Sequence, residues 1–252
     1  MSIQLIRNAT LKIRYAGKTI LLDPMLCQKE TIPPFVKGLK KNPTVDLPTS
    51  VDEIIKEVDA VLVTHSHPDH FDSVSSEILE KDIPVFSTPT DKAFFAKQNF
   101  NNVSVIEKQT NWQGITITRI EGQHGSGTIL PYMGEVSGYV LQQENEPTIY
   151  ITSDTVLIDS VINTINQFRP QIIVTNSGNG IFPGHEKYPV MFDEKQTVEV
   201  AKLAPFAKII AVHLESIDFN RATRKSLRTI AHENGITNKQ LLIPEDGEVI
   251  LF

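Results

Sequence analysis

An apolar run, Ala60 to Val63, gives way without a linker to the hexapeptide HSHPDH, His65 to His70. Such a run reads as a buried strand, so its end delivers three imidazoles and the Asp69 carboxylate to one place at the edge of a sheet, where α/β proteins put their sites. These donors suit zinc, iron or manganese. His65 and His67, two residues apart, point the same way only on extended or irregular backbone, and Pro68 biases His67 away from helix. Asp69 and His70 fall where FDSVSSEILEKD starts a helix and face another direction. One loop thus offers two ligand sets, which predicts two adjacent metals. A packed, metal-free cluster would bury several polar groups without partners.

Around this loop lie 252 residues, 40% hydrophobic and 21% charged, which describes a globular protein with ample core. The reading is one large α/β domain, residues 1–252, two intimately packed halves being the other division that fits. A net charge of -6 argues against a general nucleic-acid binder, which needs a basic stripe for phosphates. Cys27 is the only cysteine, so no intramolecular disulfide forms. Neither a cleavable leader nor a run of about 18 apolar residues is found, and a cytoplasmic protein without a membrane span is expected.

Residues 3–7, 11–15 and KTILLD read as an antiparallel meander turning at Gly17. Asp23, closing the third strand, is either a turn former or a group that orients a metal-bound histidine. Residues 25–50 lack periodicity and read as a lid, a substrate loop or an interface arm, with Lys37, Lys40 and Lys41 either solvated or facing an anion. Ser50 to Val58 reads as a short helix with a Ser50/Glu53 capping box. PVFSTP, Val103 to Ile106 and GITITRI read as strands, and TDKAFFAKQNF as a helix.

His124 follows GITITRI between glycines that let backbone approach a bound ion, and it is the third imidazole for a tetrahedral site. GYVLQQE and TIYIT are strands. Asp154, just past the second, is a ligand or the N-cap of the amphipathic helix VLIDSVINTINQF. IIVTNS repeats VLVTHS, which sets Asn176 where the first half has His65. His185, in the loop 181–191, is a candidate substrate contact. Asp193 reads as a helix cap paired with Gln196. His213 follows the strand KIIAV as His65 follows its own. RATRKSLRTIAHENG is a helix ended by Gly235, with Arg221, Arg224, Lys225 and Arg228 along one side, and LLIPEDGEVILF reads as a closing hairpin.

His65, His124, Asp154 and His213 thus share one context, each following a strand within a residue or two. THSHPDH resembles the signature of the metallo-β-lactamase fold, with His124, Asp154 and His213 matching its later ligand motifs in order. The resemblance covers essentially the whole chain, from LIRNAT and TILLDP onward. It implies a four-layer αββα sandwich of two βα halves with a binuclear site at one edge. By the same resemblance, His65, His67 and His124 hold one metal, Asp69, His70 and His213 the other, and Asp154 bridges them. The opening strands look most like the branch containing ascorbate 6-phosphate lactonase and the N-acyl phosphatidylethanolamine phospholipase D type enzymes, with Asn8 standing where many of that branch carry histidine. Asn8, Asp23, Asn176 and His185 are therefore the candidates for supporting ligands or touching substrate.

The function expected is hydrolysis of a small ester, lactone or phosphodiester by hydroxide activated between two divalent ions, Zn2+ or Mn2+. Asp69 orients that hydroxide and His213 can protonate the leaving group, while the lysines and the Arg221 helix favour an anionic substrate. The rival is a non-catalytic metal-binding or sensing protein on the same fold. Either is compatible with a homo-oligomer.

Overall fold

The computed structural model describes residues 1–252 as two seven-stranded mixed sheets. The first half supplies β1 (Ser2–Arg7), β2 (Thr10–Tyr15), β3 (Lys18–Leu22), β4 (Ala60–Leu62), β5 (Val85–Ser87) and β6 (Val103–Val105). The second supplies β7 (Gln109–Trp112), β8 (Ile115–Glu121), β9 (Ser137–Gln142), β10 (Ile149–Ile151), β11 (Ile172–Asn176), β12 (Lys208–Val212) and β13 (Leu241–Leu242). A last strand, β14 (Val249–Leu251), pairs antiparallel with β1.

The two sheets repeat one plan. In spatial order they run β14-β1-β2-β3-β4-β5-β6 and β7-β8-β9-β10-β11-β12-β13. In each, four antiparallel strands are followed by three that add in parallel. This corrects the expected closing hairpin: β13 completes the second sheet, whereas β14 returns to the first and takes the place that β7 holds in its own sheet. Local turn chemistry at Asp246-Gly247 suits a hairpin, but the two strands fill the open edges of different sheets, β13 beside β12 and β14 beside β1.

The inner sheet faces meet in a core containing Ile13, Tyr15, Leu62, Ile117, Leu141, Ile151 and Val174. Apolar run and alternation explain the strands, since central strands such as β11 and β12 are covered on both faces. The outer faces are covered by helices. α1 (Val51–Ile55), α2 (Ser73–Ile78) and α3 (Lys92–Lys97) belong to the first half, and α4 (Asp159–Phe168), α5 (Glu194–Leu203) and α6 (Arg224–Glu233) to the second. These layers make the αββα sandwich. None of the helices is long and apolar enough to cross a membrane.

Several local expectations change. α1 ends at Ile55, short of Val58, and Ser50 caps it by accepting from Glu53 N. Asp193 likewise accepts from Gln196 N, but the Gln196 side chain accepts from Leu157 N and so ties α5 to the entry of α4 without closing a box. Asp154 is not a helix cap, because α4 begins at Asp159 after Ile158. β7 has no sequence signal beyond Gly114, its residues QTNW being polar apart from Trp112 and only partly covered. Arg224 faces Glu215 and Asp246 at 2.6 Å each, so it locks the C-terminal segment and is not free for an anion.

Residues 25–50 form a strap packed on the edge of the sandwich. The guanidinium of the fully buried Arg7 donates to the carbonyls of Met25, Cys27 and Val45. Asp218 accepts from Val36 N and Asn42 Nδ2, both at 3.0 Å. Phe35, from this segment, enters the wall of the cavity described next.

Candidate metal centre

Strand ends bring the donors together, and several of those ends turn through left-handed backbone. Asn8 after β1 (φ 58°), Asp23 after β3 (φ 43°), Ser153 after β10 (φ 64°) and His213 after β12 (φ 63°) all adopt it. Non-glycine residues take this conformation at a cost, and its recurrence at one rim of the sandwich redirects each chain inward. Gly178, after β11, lies so close to the neighbouring loop that a Cβ there would stand 2.5 Å from the His213 carbonyl oxygen.

Two groups of donors result. Ligand atoms of His65, His67 and His124 lie within 4.8 Å of one another, as do those of Asp69, His70, Asp154 and His213. The groups abut: the rings of His65 and His70 are 4.0 Å apart between centroids. Asp154 Oδ2 stands between them, 3.2 Å from His70 Nε2, 3.6 Å from His213 Nε2 and 3.8 Å from His124 Nε2. All are buried except His67, which is half-buried and faces the cavity.

Hydrogen bonds set the ring orientations. Three donors converge on Asp23: His70 Nδ1 at 2.8 Å, Thr64 N at 2.8 Å and the Thr64 hydroxyl at 2.7 Å. Since that hydroxyl spends its proton on Asp23, its oxygen accepts from His65 Nδ1 at 3.1 Å. His124 Nδ1 donates to the Val190 carbonyl at 2.6 Å. In His65 and His124 Nε2 is thereby left as the lone-pair nitrogen facing the cluster, and in His70 it is Nε2 that faces Asp154.

The repeat in the fold is also a repeat in the site. Asp23 and Asp154 follow corresponding strands, β3 and β10, while Thr64-His65 and Thr175-Asn176 occupy corresponding positions at β4 and β11. Asn176 Nδ2 donates to Asp154 Oδ1 at 2.6 Å, much as Thr64 donates to Asp23. Asn8 Nδ2 donates to the Asp69 carbonyl at 3.0 Å and lies 3.4 Å from His213 Nε2. His185 stands apart, its Nδ1 2.8 Å from Thr128 Oγ1 in the outer loops. Sequence reading missed Asn220, whose Nδ2 donates to the His213 carbonyl at 2.8 Å and lies 3.3 Å from Nδ1 of the same residue. An asparagine in an irregular loop carries no periodic signal that could have found it.

The donor set fits a pair of divalent cations. His65 Nε2 is buried with no hydrogen-bond partner, an orphan that a cation would satisfy. Burial, reinforced by the neighbouring His70 and His67, holds His65 well below its ordinary pKa, and burial also lowers His67 and takes His124 to about 4. These rings are neutral and offer lone pairs. Burial works against charge on Asp69 and Asp154 too, but His70 and His213 override it, keeping Asp69 down at about 2 and Asp154 well below the usual carboxylate range. Burial would likewise lower His70, yet Asp154, Asp23 and Asp69 together raise it well above its ordinary value. A cation placed there would take over the compensation now supplied by that proton.

The donors open into a chamber of about 280 Å³ walled by Phe35, Ile129, Tyr132, Met133, Phe182 and Phe219 above His67, Asp69, His124 and Asp154. Phe219 stacks against Phe182 and Phe35, with centroids 4.9 and 5.8 Å away. Gly127, in the loop after His124, leaves no room for a side chain, because a Cβ there would fall 2.4 Å from the Tyr188 ring. No lysine or arginine lines the chamber.

Fold and donor clusters together define a metal-dependent hydrolase of the metallo-β-lactamase fold, with a site suited to two ions. The chain belongs to the β-lactamase superfamily: the family model described as "Beta-lactamase superfamily domain" matches residues 18–214. It is 38% identical to the UPF0173 protein YddR of Bacillus subtilis (strain 168), over 100% of both chains. Among solved structures, a possible metal-dependent hydrolase from Veillonella parvula DSM 2008 superposes with TM-score 0.95 at 33% identity, covering 100% of this chain and 99% of that one. An isothiocyanate hydrolase from Delia radicum gut bacteria superposes with TM-score 0.92 at 35% identity, with the same coverage.

Proposed function

We propose that the protein hydrolyses small substrates with an uncharged electrophilic carbon, an isothiocyanate first among them. The observation that carries this reading is the chamber, whose six apolar side chains lead directly onto the donor clusters with no cationic residue among them. A sugar-phosphate lactone, the substrate of the ascorbate 6-phosphate lactonase branch, would place its remote phosphate among those apolar side chains with no cationic side chain to pair with it. The 35% identity to an isothiocyanate hydrolase over the full chain supports the same choice. A neutral ester or lactone is the second reading, since its carbonyl carbon meets the same chemistry.

His65, His67 and His124 would hold one ion, Asp69, His70 and His213 the other, with Asp154 between them. Zn2+ or Mn2+ suits these N/O donors. Bound there, the ions supply Lewis acidity, which lowers the proton affinity of water and polarises the electrophile. Asp69, held as a carboxylate by His70 and His213, accepts a hydrogen bond from the attacking water and so aims its lone pair. His213, with Nε2 3.2 Å from Asp69 Oδ2, would face the same ion, so the leaving atom would take its proton from water. Asp23 fixes the His70 ring and Asn176 fixes Asp154, so neither ligand reorients as charge moves. The apolar walls exclude competing water from the substrate body.

For an isothiocyanate, an oxygen–carbon bond forms at the central carbon while the C=N π electrons move to nitrogen, which takes a proton. The thiocarbamic acid then divides into an amine and carbonyl sulfide.

The test is a panel of phenethyl isothiocyanate, a 4-nitrophenyl ester, a γ-lactone and bis(4-nitrophenyl) phosphate, run on protein of measured metal content loaded with Zn2+ or Mn2+. Release of phenethylamine at a kcat/KM above that for the other three is expected. Preferred cleavage of the phosphodiester would overturn the reading, and silence with all four at full metal content would favour a binding or sensing role.

A further inference from the structure

The chamber is not the end of the cavity. Phe35, Ile129, Tyr132 and Phe182 also line an outer vestibule of about 470 Å³, so one set of side chains forms a common wall between inner and outer spaces. The chemistry of the two differs. The vestibule adds Lys37 and His185 to its lining and contains no carboxylate. Lys37 is exposed and takes part in none of the ion pairs of the chain. The backbone that carries it is anchored, because the preceding Val36 N–H donates to Asp218 at 3.0 Å. His185 is tied through Nδ1 to Thr128, leaving Nε2 for another partner. The one acid beside it, Glu186, is turned back to accept from Gly184 N at 2.8 Å. Lys40 and Lys41 lie outside the vestibule lining.

We propose that this vestibule is a distal subsite for an anionic group, so that the preferred substrate is elongated: a neutral electrophilic carbon at the donor clusters, an apolar or aromatic body between the phenylalanines, and a terminal carboxylate at Lys37 and His185. The inference rests on the neutral-carbon reading of the inner chamber and adds the class of substrate that fills both spaces. It also separates two roles of charge. No cationic side chain lines the inner chamber to hold a charged substrate body, whereas Lys37 offers one in the vestibule.

The experiment compares phenethyl isothiocyanate with its 4-carboxylate and its 4-aminomethyl analogue on the metal-loaded protein. The carboxylate is expected to have a kcat/KM about three- to fivefold above the neutral compound at low salt, the size of an exposed ion pair, with the difference in KM and fading as salt is added. Lys37→Glu is expected to invert the order, placing the ammonium compound ahead of the carboxylate, and His185→Gln to bring the ratio closer to one. Equal efficiency for charged and neutral compounds in the native protein, or an unchanged ratio in Lys37→Glu, would overturn the proposal. Binding of the inert pair 4-propylbenzoate and propylbenzene, followed by calorimetry, keeps it separate from the hydrolytic reading. If no isothiocyanate is cleaved yet 4-propylbenzoate binds more tightly and loses that advantage in Lys37→Glu, the subsite stands and the reaction assignment falls.

Discussion

Oδ2 of Asp23 lies 2.8 Å from Nδ1 of His70, and both side chains are fully buried. The contact leaves His70 Nε2 facing Asp154 and makes Asp23 the anchor of a ligand it does not replace. Asp23→Asn keeps the volume but puts an amide where three donors converge, so metal affinity is expected to fall by about 10- to 100-fold. Competition with a chromophoric chelator reads this directly. Unchanged affinity would show that His70 needs no such anchor.

Asp69→Asn and Asp154→Ala act on the cluster itself. Turnover is expected to drop by at least about a hundredfold, on the scale of losing one preorganised charged group at a reacting centre. The far-ultraviolet circular dichroism should not change, because both residues lie in loops beyond strands that the shared core holds. Elemental analysis should show the Asp154→Ala protein with less than two ions per chain. Two full ions would remove Asp154 from its place between the sites.

Removing metal should destabilise the protein without unfolding it. Each ion present at about 100 times its Kd adds roughly 2.7 kcal/mol by mass action, so a filled pair adds roughly 5.4 kcal/mol, which for a chain of this size moves the melting midpoint by roughly 10–20 °C. Differential scanning calorimetry before and after chelation measures the shift, and restoring Zn2+ or Mn2+ should reverse it. A midpoint indifferent to metal would contradict binding by the folded state.

Phe182 contributes a half-buried ring to the wall between chamber and vestibule. Phe182→Ala removes binding surface equally from substrate and transition state, so KM for an aryl substrate should rise by about tenfold with kcat nearly constant. A fall in kcat at constant KM would instead assign the ring to the chemical step.

Burial, with Asp72 beside it, pushes the Cys27 thiol up to about 11. In the folded protein it therefore stays protonated where an unfolded thiol, near 9, ionises. The unfolded state binds fewer protons through that interval, so this residue makes stability decline as pH rises from about 9 to 11, and Cys27→Ala should flatten that limb of a denaturation series. At pH 8 iodoacetamide should modify Cys27 only after unfolding.

The periodic elements were legible because burial imposes period and composition locally. β1 to β3, β8, β10 to β12 and the helices α4 to α6 fall where alternation, apolar runs and caps place them. His65, His124, Asp154 and His213 were legible for the same reason, each being a polar donor close behind a strand. β7 was not, since a polar edge strand is defined by its partner β8 and by little of its own. The final strands were misread because the local turn is right for a hairpin while the choice of sheet is not local.

What the sequence alone determined is the chemistry: which donors exist, that they follow strands, and that one loop carries two sets of them. Tertiary structure decided what surrounds that chemistry. Asp23 reaches His70, Asn220 reaches His213, and Phe35, Phe182 and Phe219 meet over the donors only once the strap and two distant loops have packed. None of those encounters leaves a spacing in the chain, because a contact between segments far apart is fixed by how two sheets share a core and not by any short run of residues.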